Sequence, residues 1–234
     1  MVQVTSAGPT VRNLSGRWAT QPALDAVEAI ARREPGVRAI PIYREVMADL
    51  ETPVSAYLKL KGEGPSFLLE SIEGGERLAR YSFIGADPIA LLTLRDHVAV
   101  TQSAVGTSIS EYDDPLVPLQ EMVAQFRTPT NHDLPLPRFC GGAVGYLSYE
   151  AVRDFEPRVP SAPGEGLGLP DGVWMLTDAL LVFDHLARTI KAVAHVVLDG
   201  QTSLEESYRL AELRIDALIE RIRRPQPPMP QGGE

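Results

Sequence analysis

Apolar residues recur at helical spacing in several segments of the sequence. The clearest pattern lies near the C-terminal end, where intervals of four and three residues form one apolar stripe: Leu204, Tyr208, Ala211, Ile215, Leu218 and Ile222. Ser203 and Glu206 precede this stripe in the order of a capping box, so a helix is predicted over 203–223. Shorter helices are predicted over 21–33, after Thr52-Pro53 and after Asp114-Pro115.

Short β-prone runs separated by Gly, Pro and Asp fill most of the remaining chain. They are 39–43, 66–71, 81–85, 89–94 and 98–101, then a glycine-bearing apolar segment over 139–149, and finally two alternating runs, 174–183 and 189–198. The last two runs are expected to pair around a turn at 184–188. This mixture predicts an α+β fold in which mostly antiparallel β-sheet packs with helices.

The two ends of the chain differ in composition from the middle. Residues 1–20 are rich in Ser, Thr, Gly and Pro, which predicts a flexible tail, and 21–223 are expected to form the domain. Four prolines in the last ten residues cannot continue the helix, so 224–234 are interpreted as a Pro-rich linker. This segment is either a free tail or the boundary to a further domain.

Charge and cysteine content narrow the classes of function. The chain has 234 residues, with 22 Lys and Arg against 31 Asp and Glu, a formal net charge of −9. It has no basic stripe, so a nucleic-acid partner is not expected. It has no apolar run long enough to cross a bilayer, and Cys140 is its only cysteine. We therefore expect a soluble protein of the reducing cytoplasm, without disulfides or membrane contact.

A complete active site is not recognisable in the sequence. The four histidines show no metal-ligand spacing, and the nucleophile-elbow and phosphate-loop motifs are absent. Cys140 is interpreted as a small buried hydrophobe because no histidine motif accompanies it. We therefore predict no catalytic residue, no metal ligand and no cofactor in this chain.

One segment combines chemical groups that a core does not require. The β-run over 66–71 ends in Glu70 and Ser71, and a glycine turn then reverses the chain toward Arg80. A carboxylate, a hydroxyl and a guanidinium at one hairpin end could hold a zwitterion, the carboxylate binding an ammonium and the guanidinium a carboxylate. On the residues alone, a surface ion pair between Glu70 and Arg80 is the alternative.

Five motifs occur in an order and spacing that resemble a known family. They are Pro-Ile-Tyr-Arg-Glu at 41–45, Asp-Leu-Glu-Thr-Pro-Val-Ser-Ala-Tyr at 49–57, Leu-Leu-Glu-Ser at 68–71, Arg-Tyr-Ser-Phe-Ile-Gly at 80–85 and Gly-Gly-Ala-Val-Gly-Tyr at 141–146. Over about 38–223 the chain resembles the N-terminal domain of anthranilate synthase component I. Segments like those of the family's C-terminal catalytic domain are not found in these 234 residues.

The resemblance implies a function and a set of partners. In feedback-regulated members L-tryptophan binds beside the Leu-Leu-Glu-Ser motif, against the C-terminal domain, which nominates Leu69, Glu70 and Ser71 here, with Glu70 toward the ligand ammonium. Arg80 is a further candidate for a charged contact. The implied partners are the C-terminal chorismate-utilising domain, which binds Mg2+, and a glutamine amidotransferase subunit (component II).

Two alternative functions stay open at this stage. The first is the N-terminal part of aminodeoxychorismate synthase component I, the related enzyme of folate synthesis. The second is a stand-alone amino-acid-binding module. In each case this chain is expected to have no catalytic activity of its own.

Overall fold

The fold is known from a computed structural model, which describes residues 19–70, 80–129, 134–156, 158–160 and 167–227. Within these residues, ten strands form two five-stranded sheets in which all neighbouring strands are antiparallel. The first sheet has the order β1-β10-β9-β3-β2, and the second has the order β6-β5-β4-β8-β7. The predicted α+β class with mostly antiparallel sheet is confirmed.

The strands and helices have the following bounds. The first sheet contains β1 (Ala39–Met47), β2 (Ser66–Leu69), β3 (Tyr81–Ala86), β9 (Ala179–Asp184) and β10 (Thr189–Val197). The second contains β4 (Ala90–Arg95), β5 (Val98–Ser103), β6 (Gly106–Glu111), β7 (Gly142–Leu147) and β8 (Gly172–Thr177). The helices are α1 (Leu24–Arg33), α2 (Pro53–Leu60), α3 (Leu116–Ala124), α4 (Val152–Phe155) and α5 (Leu204–Arg223), with a short 3-10 helix at Tyr149–Ala151.

The long helix α5 covers one face of the first sheet. Its buried residues Ala211, Ile215, Leu218 and Ile222 belong to the predicted stripe and join the core formed with the strands and with α1 and α2. The Ser203 hydroxyl accepts a hydrogen bond from the Glu206 N–H at 3.2 Å, so the predicted N-cap is confirmed. Burial of this stripe, more than helix propensity, stabilises the helix.

The short helix α2 also begins where the sequence predicts. The Thr52 hydroxyl accepts from the Ser55 N–H at 3.0 Å, and the Ser55 hydroxyl accepts from the Thr52 N–H at 2.8 Å. This reciprocal pair satisfies two N–H groups that the helix leaves unbonded, and Pro53 at the first position has none to satisfy.

The run over 174–183 was predicted as one strand, and this prediction is wrong. Asp178 divides it into β8 and β9, which lie in different sheets. The Asp178 carbonyl accepts from the backbone N–H of His195 at 2.9 Å, and the Nδ1 atom of His195 lies 2.9 Å from the same oxygen. These contacts fix the crossover, which the sequence pattern alone does not reveal because the apolar run resumes directly after Thr177 and Asp178.

Three elements were not predicted: the strand β6, the 3-10 helix at Tyr149–Ala151 and the helix α4. All six residues of the edge strand β6 are exposed and mostly polar, and α4 is a single turn. Residues 1–18 and 228–234 lie outside the described residues, so most of the predicted tail and part of the predicted linker cannot be compared with the structure. Thr20 donates to Glu212 of α5 at 2.5 Å, and Gln21 pairs with Tyr43.

Gly145 allows β7 to approach β8, and this close approach generates a prediction. A Cβ atom added at Gly145 would lie 1.9 Å from the carbonyl oxygen of Val173 and 2.8 Å from the Cα of Trp174. We expect Gly145→Ala to lower the free energy of unfolding by about 2 kcal/mol, measured by urea unfolding, because the strands must separate.

Gly62→Ala is the matched control for this substitution. No atom lies within 4 Å of a Cβ added there, so we expect its free energy of unfolding to change by less than about 1 kcal/mol. Equal losses in the two variants would contradict the assignment of a close approach at Gly145.

Candidate functional site

The β2–β3 hairpin brings three of the four predicted site residues to one end of the first sheet. In this antiparallel pair Ser66 lies opposite Ala86 and Leu69 lies opposite Phe83. Glu70 directly follows β2, and Arg80 directly precedes β3. Ser71, the fourth predicted residue, lies outside the described residues.

Leu69 and Glu70 are accessible at the hairpin end. The Leu69 side chain is 43% exposed although it is apolar, and Glu70 is also exposed. Within the part of the chain that the structure describes, no ion-pair partner of Glu70 is found. A carboxylate and an apolar side chain are therefore both available to a small molecule at this point.

Arg80 forms a two-point ion pair with Asp184 rather than with Glu70. Its Nε lies 3.1 Å from Asp184 Oδ1, and its Nη2 lies 2.7 Å from Asp184 Oδ2. The guanidinium also lies over the ring of Tyr81, 4.8 Å from the centroid. The surface pair between Glu70 and Arg80, which the sequence left open, is therefore not the one that forms among the described residues.

Asp184 is fixed from several sides. It ends β9, where it pairs with Tyr81 on one side and Thr189 on the other. Its Oδ1 also accepts from the backbone N–H groups of Leu186 and Ala187, at 3.1 and 3.0 Å, in the turn that leads to β10. Burial alone would raise the pKa of Asp184, but the hydrogen bonds from Arg80 and the turn hold it below its ordinary value.

A second ion pair lies on the neighbouring strands. Lys191 of β10 is opposite Glu45 of β1, with its Nζ 2.9 Å from Glu45 Oε1, and the Thr189 hydroxyl donates to the same oxygen at 2.6 Å. Burial opposes ionisation of Glu45, but these two donors keep its pKa below the usual range. Burial, together with the Glu45 charge, raises the pKa of Tyr43 to about 12.

These charges border a cluster of apolar side chains on the same face of the sheet. Its buried members are Tyr43, Cys140, Leu180, Val182 and Val193, and Tyr81, Phe83, Leu136 and Phe139 pack against them. The rings of Phe83 and Phe139 meet edge to face at a centroid distance of 5.2 Å. The site thus combines ionic groups with an aromatic environment.

Cys140 belongs to this apolar cluster and is buried, as the sequence predicts. Burial raises the pKa of its thiol to about 11, so the thiolate needed of a nucleophile is disfavoured at neutral pH.

Among the residues that the structure describes, no group of three or more His, Cys, Asp or Glu could hold a metal ion. In the same residues, no helix has the length and apolar character needed to cross a bilayer.

Asp184, the partner of Arg80, is the residue of the candidate site that sequence reasoning did not identify. It was assigned only to a turn, and it lies 104 positions from Arg80 in the chain. A buried carboxylate opposite a half-exposed guanidinium depends on the pairing of β3 with β9, which no local pattern specifies. A carboxylate such as that of Glu70 and a guanidinium such as that of Arg80 are the groups that bind the ammonium and the carboxylate of a zwitterion.

The two-sheet α+β architecture defines a class of domain that is found in a solved enzyme. The crystal structure of anthranilate synthase component I from Streptococcus pneumoniae superposes with a TM-score of 0.51. It covers 78% of this chain and 37% of that chain, at 24% sequence identity. This likeness shows the fold. No family model matches the sequence.

Sequence relatives give the family. The anthranilate synthase component 1 of Pseudomonas aeruginosa is 40% identical over 195 residues, which is 82% of this chain and 38% of that protein. The protein of the same name from Synechocystis is 42% identical over 192 residues, 81% of this chain and 37% of its own length. A probable anthranilate synthase component 1 of Schizosaccharomyces pombe is 36% identical over 211 residues, 90% of this chain and 39% of its own length.

The chain belongs to the anthranilate synthase component 1 family and corresponds to its N-terminal part. It spans less than two fifths of the length of these relatives.

The ion pair of Asp184 generates a prediction about acid stability. Because the folded-state pKa of Asp184 is below the unfolded value of about 3.9, its carboxylate stabilises the fold at higher pH. This contribution disappears as the pH falls through the lower folded-state pKa. We expect Asp184→Asn to lower the free energy of unfolding by about 2 kcal/mol at pH 7, and by progressively less below pH 4.

Urea unfolding of both proteins between pH 7 and pH 3 measures this difference. Asp113→Asn replaces an exposed aspartate and serves as the control, with an expected effect within about 0.5 kcal/mol at pH 7. A loss in Asp184→Asn that stays constant over the whole pH range would show that the carboxylate charge is not the cause.

Proposed function

We propose that this chain is the regulatory N-terminal part of an anthranilate synthase component 1 and contributes half of a feedback site for L-tryptophan. The observation that carries the proposal is the hairpin end, where accessible Leu69 and Glu70 lie with Arg80 beside an aromatic cluster. The names of the relatives supply the enzyme.

The proposed ligand fits the three chemical groups at this point. The Glu70 carboxylate binds the ligand ammonium, Arg80 binds its carboxylate, and Leu69 contacts its apolar part. Ser71 is a further proposed contact, adjacent to Glu70 in the sequence. Since Leu69 and Glu70 are exposed, the rest of the ligand surface is to be covered by the chorismate-utilising domain.

The complete protein would form anthranilate from chorismate. In this proposal it uses ammonia from the glutamine amidotransferase subunit and releases pyruvate, and Mg2+ is held by the chorismate-utilising domain. This chain contributes the regulatory site and no catalytic residue. The reducing cytoplasm is the proposed compartment.

Regulation requires that the ligand bind one arrangement of the two domains better than another. A ligand held between Glu70 of this chain and the second domain would bridge them. It would favour the less active arrangement by its difference in affinity for the two states. The isolated chain offers half of the contacts, so weak or undetectable binding of L-tryptophan is expected for it.

The reaction can be tested on the protein expressed from its complete gene. With chorismate, ammonia and Mg2+ we expect anthranilate and pyruvate, detected by anthranilate fluorescence and chromatography. The 234-residue chain alone is expected to show no turnover. Formation of aminodeoxychorismate instead would assign the protein to the folate branch, and turnover by the 234-residue chain would contradict a purely regulatory role.

The ligand contact can be tested by Glu70→Gln in the same complete protein. Loss of a charge-assisted hydrogen bond is worth about 1.5–3 kcal/mol, so we expect L-tryptophan affinity to fall roughly 10- to 100-fold in calorimetry. Glu63→Gln removes an exposed carboxylate that precedes β2 and is expected to leave the affinity unchanged.

The binding and turnover measurements together also test the alternative that this chain is a stand-alone amino-acid-binding module. Tight L-tryptophan binding by the 234-residue chain, together with no chorismate turnover by the complete protein, would favour a stand-alone amino-acid-binding module. Equal affinities of the Glu70→Gln variant and the unchanged protein would remove Glu70 from the site.

A further inference from the structure

The guanidinium of Arg80 is bound to the protein through one of its edges. Its Nε and Nη2 atoms, which form the side edge of the planar group, both contact Asp184. A guanidinium carries five N–H donors, and these two bonds leave the Nη1 atom and the outer N–H of Nη2 for another acceptor. Parallel donors on that outer edge match the two oxygens of a carboxylate.

Arg80 is much more exposed than Asp184, and this difference favours a second contact between Arg80 and a ligand carboxylate. The Arg80 side chain is 41% exposed, whereas that of Asp184 is 3% exposed. The ion pair is therefore anchored inside the sheet while part of the cation faces outward. The exposed part of the guanidinium is therefore accessible to the carboxylate of a ligand.

Two contacts together fix the orientation of the guanidinium. The ring of Tyr81 lies beneath it and restrains its plane, and the two bonds to Asp184 restrain its rotation within that plane. Asp184 is itself held by the N–H groups of Leu186 and Ala187. An arginine held in this way loses less conformational freedom when it binds a ligand.

We propose that Asp184 is a positioning residue that directs the outer edge of Arg80 toward the carboxylate of the ligand. The inference rests on the proposed function for the identity of that ligand, an aromatic amino acid. Asp184 does not contact the ligand and stays bound to Arg80 when the ligand is present. Arg80 then lies between two carboxylates, the buried one of Asp184 and that of the ligand.

The surrounding charges are compatible with a second carboxylate at Arg80. Lys191 lies near Asp184 and helps to lower its pKa, and it is itself paired with Glu45. The four ionic side chains Glu45, Arg80, Asp184 and Lys191 therefore sum to zero. A zwitterionic ligand adds no net charge, and Glu70, which directly follows β2, is the proposed partner of its ammonium.

The test compares two ligands that differ only at the carboxylate. L-Tryptophanamide keeps the ammonium and the indole of L-tryptophan but lacks the carboxylate charge. In calorimetry on the protein expressed from its complete gene, we expect Asp184→Asn to weaken L-tryptophan binding about tenfold and to change L-tryptophanamide binding less than twofold. Arg80→Lys, which keeps the charge but not the two-pronged donor, is expected to show the same selective loss.

Glu206→Gln is the matched control because it removes the partner of Arg209 in an exposed ion pair on α5. It is expected to leave both affinities unchanged. Equal weakening of both ligands by Asp184→Asn would indicate a general structural role and would overturn the proposal. Tighter L-tryptophan binding by that variant would also overturn it, since Asp184 would then compete with the ligand for Arg80.

The experiment distinguishes failure of the positioning role of Asp184 from failure of the proposed feedback site. If the unchanged protein binds L-tryptophan and both variants bind it equally well, the positioning role is wrong and the proposed function stands. If the unchanged protein binds neither L-tryptophan nor its amide, the proposed feedback site is wrong and the positioning role falls with it.

Discussion

The position of β9 between β10 and β3 is the constraint on which the rest of the structure depends. This six-residue strand is buried from Leu180 onward, and its neighbours on both sides are antiparallel. Its first end joins the two sheets through Asp178, and its last end carries Asp184 at the candidate site. Since side chains alternate along a strand, the pairing of β9 with β3 determines both the core contacts and the partner of Arg80.

The two aspartates that flank β9 show how the environment decides the role of one residue type. Asp178 is 4% exposed and Asp184 is 3% exposed. Burial raises the pKa of Asp178, which faces Arg214 at 3.3 Å without a hydrogen bond to that carboxylate oxygen in the described residues. Asp184 is equally buried, but two donors from Arg80 and two from the turn favour its charged form. The charged form is therefore favoured more strongly at Asp184 than at Asp178.

The sequence predicted what depends on local pattern. The stripe and cap of α5, the Thr52 cap of α2 and the turn between β9 and β10 follow from residues within one or two turns of each other. The break at Asp178, the polar edge strand β6 and the bond between Arg80 and Asp184 depend on contacts between distant residues. Apolar residues lie on both sides of Thr177 and Asp178, so a change of sheet between them could not be distinguished from one continuous strand.

The location of the candidate site follows from the same division between local and distant contacts. Glu70 directly follows β2 and Arg80 directly precedes β3, and Asp184 of β9 anchors Arg80 from inside the sheet. An arginine anchored in this way can recognise one side of a ligand with little reordering. The chain spans less than two fifths of the length of its relatives. Under the proposed function, a ligand completes its contacts only when a second domain covers this hairpin end, and that requirement makes binding depend on domain arrangement.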